Sequence, residues 1–230
     1  MTTPKGTASG KIETPFEIYT GFEILFKRWG ARHWWPGDSQ LEIVAGALLA
    51  QATNWQNARK AVSNLKEAGL LADTVDSFRK MCRIRKEKLE ILLRPSGYYR
   101  QKAKRLKALM DFLGKELGSP PWEIPVADTK AWRNKLLGLN GLGPETVDSI
   151  LLYGFNLPCF VIDAYTRRIL ARHGMCEEKT SYDELQEIFT KNLPERSELY
   201  NEYHALIVRL GKEYCRSNPS CDGCPLARGS

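Results

Sequence analysis

Asp163 is the acid whose surroundings single it out, because it lies in the apolar run Phe160-Val-Ile-Asp-Ala-Tyr. A carboxyl group among hydrophobic neighbours is either a helix N-cap or a functional group, and the helical pattern Ala164–Leu170 behind it allows both roles at once. Upstream, Gly141-Leu142-Gly143 joins two helical patterns, and Pro144 opens the second of them. Glycine permits a tight turn and a close backbone approach, and proline suits the first helical position because no amide donor is needed there. Amides exposed at such a helix start favour an anion, a DNA phosphate included. An ordinary corner between two helices uses the same residues.

Two further groups of side chains carry chemistry. Cys215, Cys221 and Cys224 cluster near the chain end, whereas Cys82, Cys159 and Cys176 are isolated and read as structural thiols. Three thiolates with His204 or a water molecule could make a zinc site. Trp34, Trp35 and Pro36 form an aromatic triplet just ahead of a helix, and Trp55 follows Gln51 within about one helical turn. Large aromatics build either a core or a stacking surface.

Composition narrows the partner. The chain has 34 lysines and arginines against 27 acidic residues, a formal charge of +7 and a pI near 9.1, a balance that suits a polyanion. Basic residues concentrate at Arg100, Lys102, Lys104 and Arg105, and again at Arg209, Lys212, Arg216 and Arg228. Each set reads as phosphate contacts or as a solvated face. No window approaches the ~18 apolar residues of a membrane span, so the expected protein is cytoplasmic, with no membrane partner.

The elements that must position these groups are helical throughout. After a leader at 1–14 without apolar period, Phe22, Leu25 and Phe26 share one helical face, as do Leu41, Val44, Ala45 and Leu48. Helical stretches follow at Ala58–Ala68, Val75–Met81, Arg85–Leu93, Lys102–Leu117, Asp128–Leu137, Glu145–Tyr153, Ala164–His173, Tyr182–Asn192 and Glu195–Tyr214. Glycine or proline punctuates the junctions and strand-like alternation is nearly absent, which predicts an all-α protein of about ten helices.

Taken together, Leu139-Asn-Gly-Leu-Gly-Pro-Glu-Thr-Val-Asp-Ser-Ile and Val161-Ile-Asp-Ala-Tyr-Thr-Arg-Arg-Ile resemble the hairpin and aspartate motifs of the helix-hairpin-helix DNA glycosylases, the endonuclease III superfamily. Leu48-Leu-Ala-Gln-Ala-Thr, Gly97-Tyr-Tyr-Arg-Gln-Lys-Ala and the terminal cysteines extend the resemblance over nearly everything after the leader. Trp-Trp-Pro followed by Gln-Ala-Thr-Asn-Trp is similar to the bacterial 3-methyladenine DNA glycosylases of the endonuclease III type.

The resemblance implies a two-domain helical fold with a DNA-facing cleft. A six-helix barrel domain with the hairpin would span 38–157, and a second helical domain would combine 15–37 with 158–230. It implies a monomeric enzyme acting on double-stranded DNA that contains damaged bases, in base excision repair, nucleoid-associated in a prokaryote. Asp163 takes the catalytic role, Gly141, Leu142 and Gly143 grip the backbone, and Gln51 enters the duplex. Trp34, Trp35, Pro36 and Trp55 line a pocket for an alkylated purine such as 3-methyladenine.

In the family's bifunctional members a hairpin-helix lysine forms an imine with the sugar; here Glu145 holds that position, and a carboxylate cannot do so. Lys102 and Lys135 do not match it. The expected activity is therefore base release without strand cleavage. The cysteine tail resembles the loop that holds a [4Fe-4S] cluster through four thiolates. Here the first gap is one residue shorter, the fourth cysteine is missing and its place falls on Ser230. No cofactor is needed for the chemistry itself.

Overall fold

A computed structural model describes residues 16–32 and 37–227; all its regular elements are helical, and among the described residues there is no strand. The order is α1 Ile18–Trp29, α2 Gln40–Leu49, α3 Trp55–Glu67, α4 Val75–Arg83, α5 Lys86–Leu93, α6 Tyr99–Leu117, α7 Thr129–Leu137, α8 Pro144–Ser149, α9 Ala164–Arg172, α10 Tyr182–Thr190 and α11 Ser197–Glu213. Short 3-10 turns precede α6 and α7, and α8 widens into a π-helical segment at Ile150–Gly154. No described helix is long and apolar enough to cross a membrane.

The helix starts follow from capping chemistry. Ser39, Asn54, Thr74, Asp163 and Ser181 each accept a hydrogen bond from a first-turn amide of the helix they precede. Ser181 and Glu184 form a reciprocal capping box at α10. Two boundaries lie nearly a turn earlier than the apolar period indicates, the first being α3, which begins at Trp55 and not Ala58, behind its Asn54 cap. α6 begins at Tyr99, not Lys102, because Gly97 and Tyr98 turn the chain with positive φ (67° and 43°) directly before it.

The described residues fall into two compact units. One draws on residues 37–161 and 196–200, the other on residues 16–32, 162–195 and 201–227. In the first, α2 is packed over most of its surface: Leu41, Val44, Ala45, Leu48 and Leu49 have no exposed surface. A Cβ on Gly154 would come within 2.8 Å of Val44, so glycine lets the π-helical segment close on α2.

In the second unit, Tyr203 of α11 organises α1. Its hydroxyl donates to Ile18 O at 2.8 Å, and its ring meets Phe22 and Phe189 edge-on at 5.4 and 5.6 Å. The buried stripe of α1 is Ile18, Gly21 and Leu25, whereas Phe26 of the predicted face is 39% exposed. The reason is local. Gly21 has no side chain to hold Tyr203 and Phe16 away, so the helix turns that bare side inward.

Candidate active site

The hairpin is built from α7, the turn at 138–143 and α8, all within one unit. Its two arms are clamped by Arg133, which donates from Nε to Asp148 Oδ1 at 2.7 Å and from Nη2 to Oδ2 at 3.1 Å. Asp148 has no exposed surface. A forked guanidinium–carboxylate pair fixes orientation as well as distance.

At the turn, Gly141 sits at φ +88°, in the left-handed region where a side chain is strained. A Cβ there would also overlap the Arg105 guanidinium. Arg105 Nη1 donates to Gln51 Oε1 at 2.9 Å, and Gln51 Nε2 donates to Gly141 O at 3.0 Å and Thr146 Oγ1 at 2.9 Å. Gln51 therefore braces the hairpin in this structure. Leu142 is 6% exposed and belongs to the core, and its amide donates to Leu139 O at 3.1 Å. Gly143 is exposed with extended backbone (φ −86°) and open space where a Cβ would be.

The two glycines thus differ in what they require. Gly141→Ala is expected to lower the melting temperature by several degrees, since roughly 1–2 kcal/mol of backbone strain adds to the overlap with Arg105. Gly143→Ala should melt like the parent protein. If its affinity for duplex DNA falls in a fluorescence-anisotropy titration, the added methyl lies where a phosphate approaches; unchanged binding by both variants would remove the hairpin from DNA recognition.

Glu145 is exposed in the first turn of α8, where a negative charge is favourable beside the helix N-terminus.

Asp163 begins the other unit's α9 and caps it. Its Oδ1 accepts from Thr166 N at 2.7 Å and Thr166 Oγ1 at 2.9 Å. Its Oδ2 lies 3.7 Å from His204 Nε2, just beyond hydrogen-bond length. The carboxylate side chain is 14% exposed and that of the imidazole 6%. Burial pushes the Asp163 carboxyl upward, but His204 and then Thr166 outweigh it and hold the group below the ordinary aspartate value. The result is an ionised carboxylate in a poorly solvated place.

Trp55 opens α3 and lines a cavity of about 340 Å³ together with Gly37, Asp38, Glu42, Arg59 and Lys66. Lys66 pairs there with Asp38 and, at 3.2 Å, with Glu42. The other predicted pocket residues, Trp34, Trp35 and Pro36, lie outside the described residues.

Cys215, Cys221 and Cys224 line one small cavity of about 20 Å³, with His173 and Arg172. None of the six cysteines is in a disulfide. Arg172 Nη1 donates to Cys215 Sγ at 3.1 Å and to Arg216 O at 2.5 Å, and Arg168 Nε donates to Cys215 O at 2.7 Å, so α9 holds the loop through arginines. Among the described residues, no three His, Cys, Asp or Glu side chains are grouped to hold a metal ion. Ser230 lies outside them. The described residues therefore do not fit a four-thiolate cluster. The zinc alternative with His204 fares no better, since the histidine lining the cysteine cavity is His173 and His204 faces Asp163.

Several contributors lie beyond what sequence patterns reveal. Lys102, grouped with the basic segment, is 1% exposed and donates to Leu49 O at 2.9 Å and Ser96 O at 2.6 Å. Burial, then Arg105, pulls its amine down to about 8. It joins α2 to the turn before α6 and is no phosphate contact. The Arg133–Asp148 clamp and the Arg105–Gln51 brace join residues far apart in the chain, and no local period marks them. The one available hint was Asp148 itself, an acid among apolar helix positions.

This chain belongs to the HhH-GPD superfamily of base excision DNA repair proteins, whose family model matches residues 45–195. It is a DNA repair glycosylase of that superfamily. Among its relatives is MJ1434 of Methanocaldococcus jannaschii, provisionally named a DNA repair glycosylase, 44% identical over 93% of this chain and 96% of the relative. Endonuclease III of Thermotoga maritima is 29% identical over 88% and 86% of the two chains. The crystal structure of H. pylori 3-methyladenine DNA glycosylase (MagIII), bound to 1,N6-ethenoadenine, matches with a TM-score of 0.71 at 30% identity, covering 84% of this chain and 97% of that one. A trapped endonuclease III–DNA covalent intermediate shares the fold with a TM-score of 0.74 at 22% identity, over 91% of this chain and 92% of that one.

Proposed function

We propose that the protein hydrolyses the N-glycosidic bond of alkylated purines such as 3-methyladenine in double-stranded DNA, leaving an abasic site without cutting the strand. The observation that carries the proposal is Asp163: a carboxylate held ionised in a largely buried place by His204 and Thr166. Departure of the base builds oxocarbenium character on the sugar. A carboxylate beside it stabilises that charge and orients or deprotonates the attacking water.

A base locked in the duplex stack cannot be reached, so the nucleotide must be turned out while the backbone is gripped. The hairpin amides at Gly141 and Gly143 serve the grip. Gln51 would enter the duplex only by giving up its bonds to Gly141 and Thr146.

Two features favour an alkylated purine. A ring-alkylated purine is cationic, departs with little acid catalysis, and is attracted by an indole face such as Trp55. The likeness to the H. pylori 3-methyladenine glycosylase over 84% of this chain adds support. Glu145 at the lyase position supports hydrolysis without an imine. The likeness to endonuclease III of T. maritima supports a second reading, a glycosylase for oxidised or mismatched pyrimidines.

One experiment separates these readings. Mass spectrometry of bases freed from a mixed-damage duplex is expected to detect 3-methyladenine, and borohydride is expected to trap no covalent complex. Release of thymine glycol or mismatched thymine instead would favour the second reading, and a trapped complex would restore a lyase. Release of no base from any substrate would leave a DNA-binding protein without chemistry. The cysteine loop takes no part in these steps; iron and sulfide per chain, measured after anaerobic purification, decide whether it carries a cluster.

A further inference from the structure

We infer that the two oxygens of Asp163 have separate tasks, and that His204 is the positioning residue that keeps Oδ2 aimed for the reaction while Oδ1 caps α9. The inference rests on the reading of Asp163 as the catalytic carboxylate. Oδ1 already accepts two hydrogen bonds from Thr166, at 2.7 and 2.9 Å, which fixes one end of the group. Oδ2 is the end left for a sugar or a water, and the group beside it is the His204 Nε2 at 3.7 Å.

The imidazole is itself held in place. His204 is 5% exposed, and its neighbour Tyr203 anchors α11 by the hydroxyl bond to Ile18 O at 2.8 Å. A side chain needed only to fill space would have no reason to present a nitrogen to a carboxylate; leucine would pack as well. With the nitrogen there, Asp163 keeps both its rotamer and its charge against the cost of burial. His204 and Thr166 are the groups whose interactions hold the carboxyl down. Without His204, burial is opposed by Thr166 alone, on the other oxygen.

The test compares His204→Leu with His204→Gln in the full chain. His204→Leu is expected to lower kcat for base release roughly 10–100-fold, the scale of a displaced catalytic group, with KM and DNA affinity unchanged. His204→Gln, which still offers an N–H, is expected to recover most of the rate. In protein carrying carbonyl-13C aspartate, with Asp163→Asn to assign the signal, the Asp163 resonance should titrate at higher pH in His204→Leu than in the parent. Should His204→Leu fold poorly, His204→Gln and the NMR titration below the melting transition carry the test.

Parent-like kcat in His204→Leu, or an unmoved Asp163 resonance, overturns the inference. Asp163→Asn discriminates its failure from that of the underlying reading. Turnover retained in Asp163→Asn defeats the catalytic reading whatever His204 does. An inactive Asp163→Asn beside an unaffected His204→Leu defeats the inference alone.

Discussion

Asp163→Asn is expected to lower kcat for base release by about 10²–10⁴-fold, with the fold and the affinity for duplex DNA near those of the parent. The substitution is clean because asparagine is as good an N-cap as aspartate. Its side-chain oxygen can accept the Thr166 N–H that Oδ1 now takes at 2.7 Å. What disappears is the negative charge, so a loss of rate without a loss of stability reports chemistry and not unfolding. Single-turnover release from damaged duplex, paired with a thermal melt, measures both. Turnover within a few-fold of the parent would take Asp163 out of the mechanism.

The second large effect is expected on stability. Arg133→Met leaves Asp148, which has no exposed surface, without the fork that meets both its oxygens. Breaking a buried pair from one side costs about 3–5 kcal/mol, which in a chain of this size lowers the melting temperature by roughly 6–20 °C. Because the pair spans the two arms of the hairpin, DNA affinity should fall with it. Replacing both partners, as Arg133→Met with Asp148→Leu, removes the buried charge as well and should restore much of the melting temperature. If the single variant melts like the parent, the clamp contributes little.

Helical periodicity made most of the architecture legible, since caps and glycine or proline stops act locally. Ser181 with Glu184, and Gly143 before Pro144, can be read without knowing what packs against them. Asp163 was legible for a related reason: an acid interrupting an apolar run is conspicuous, and its capping role follows from the helix behind it. Its partner was not. His204 lies far along the chain on another helix, and no spacing rule connects the two. Lys102 misled because composition sees a charge, whereas only three-dimensional packing shows that its amine meets two backbone carbonyls inside the protein.

The unit that carries Asp163 recruits segments far apart in the sequence, with Tyr203 of α11 bonded to Ile18 of α1. During synthesis α1 leaves the ribosome well before the tyrosine that fastens it, which is on the later helix α11. The intervening segment can collapse while α1 is still waiting, with Ile18 and Leu25 uncovered. Vectorial production therefore makes the carboxylate's neighbourhood late to assemble, and a nascent chain halted before α11 would lack both the fastener and the imidazole.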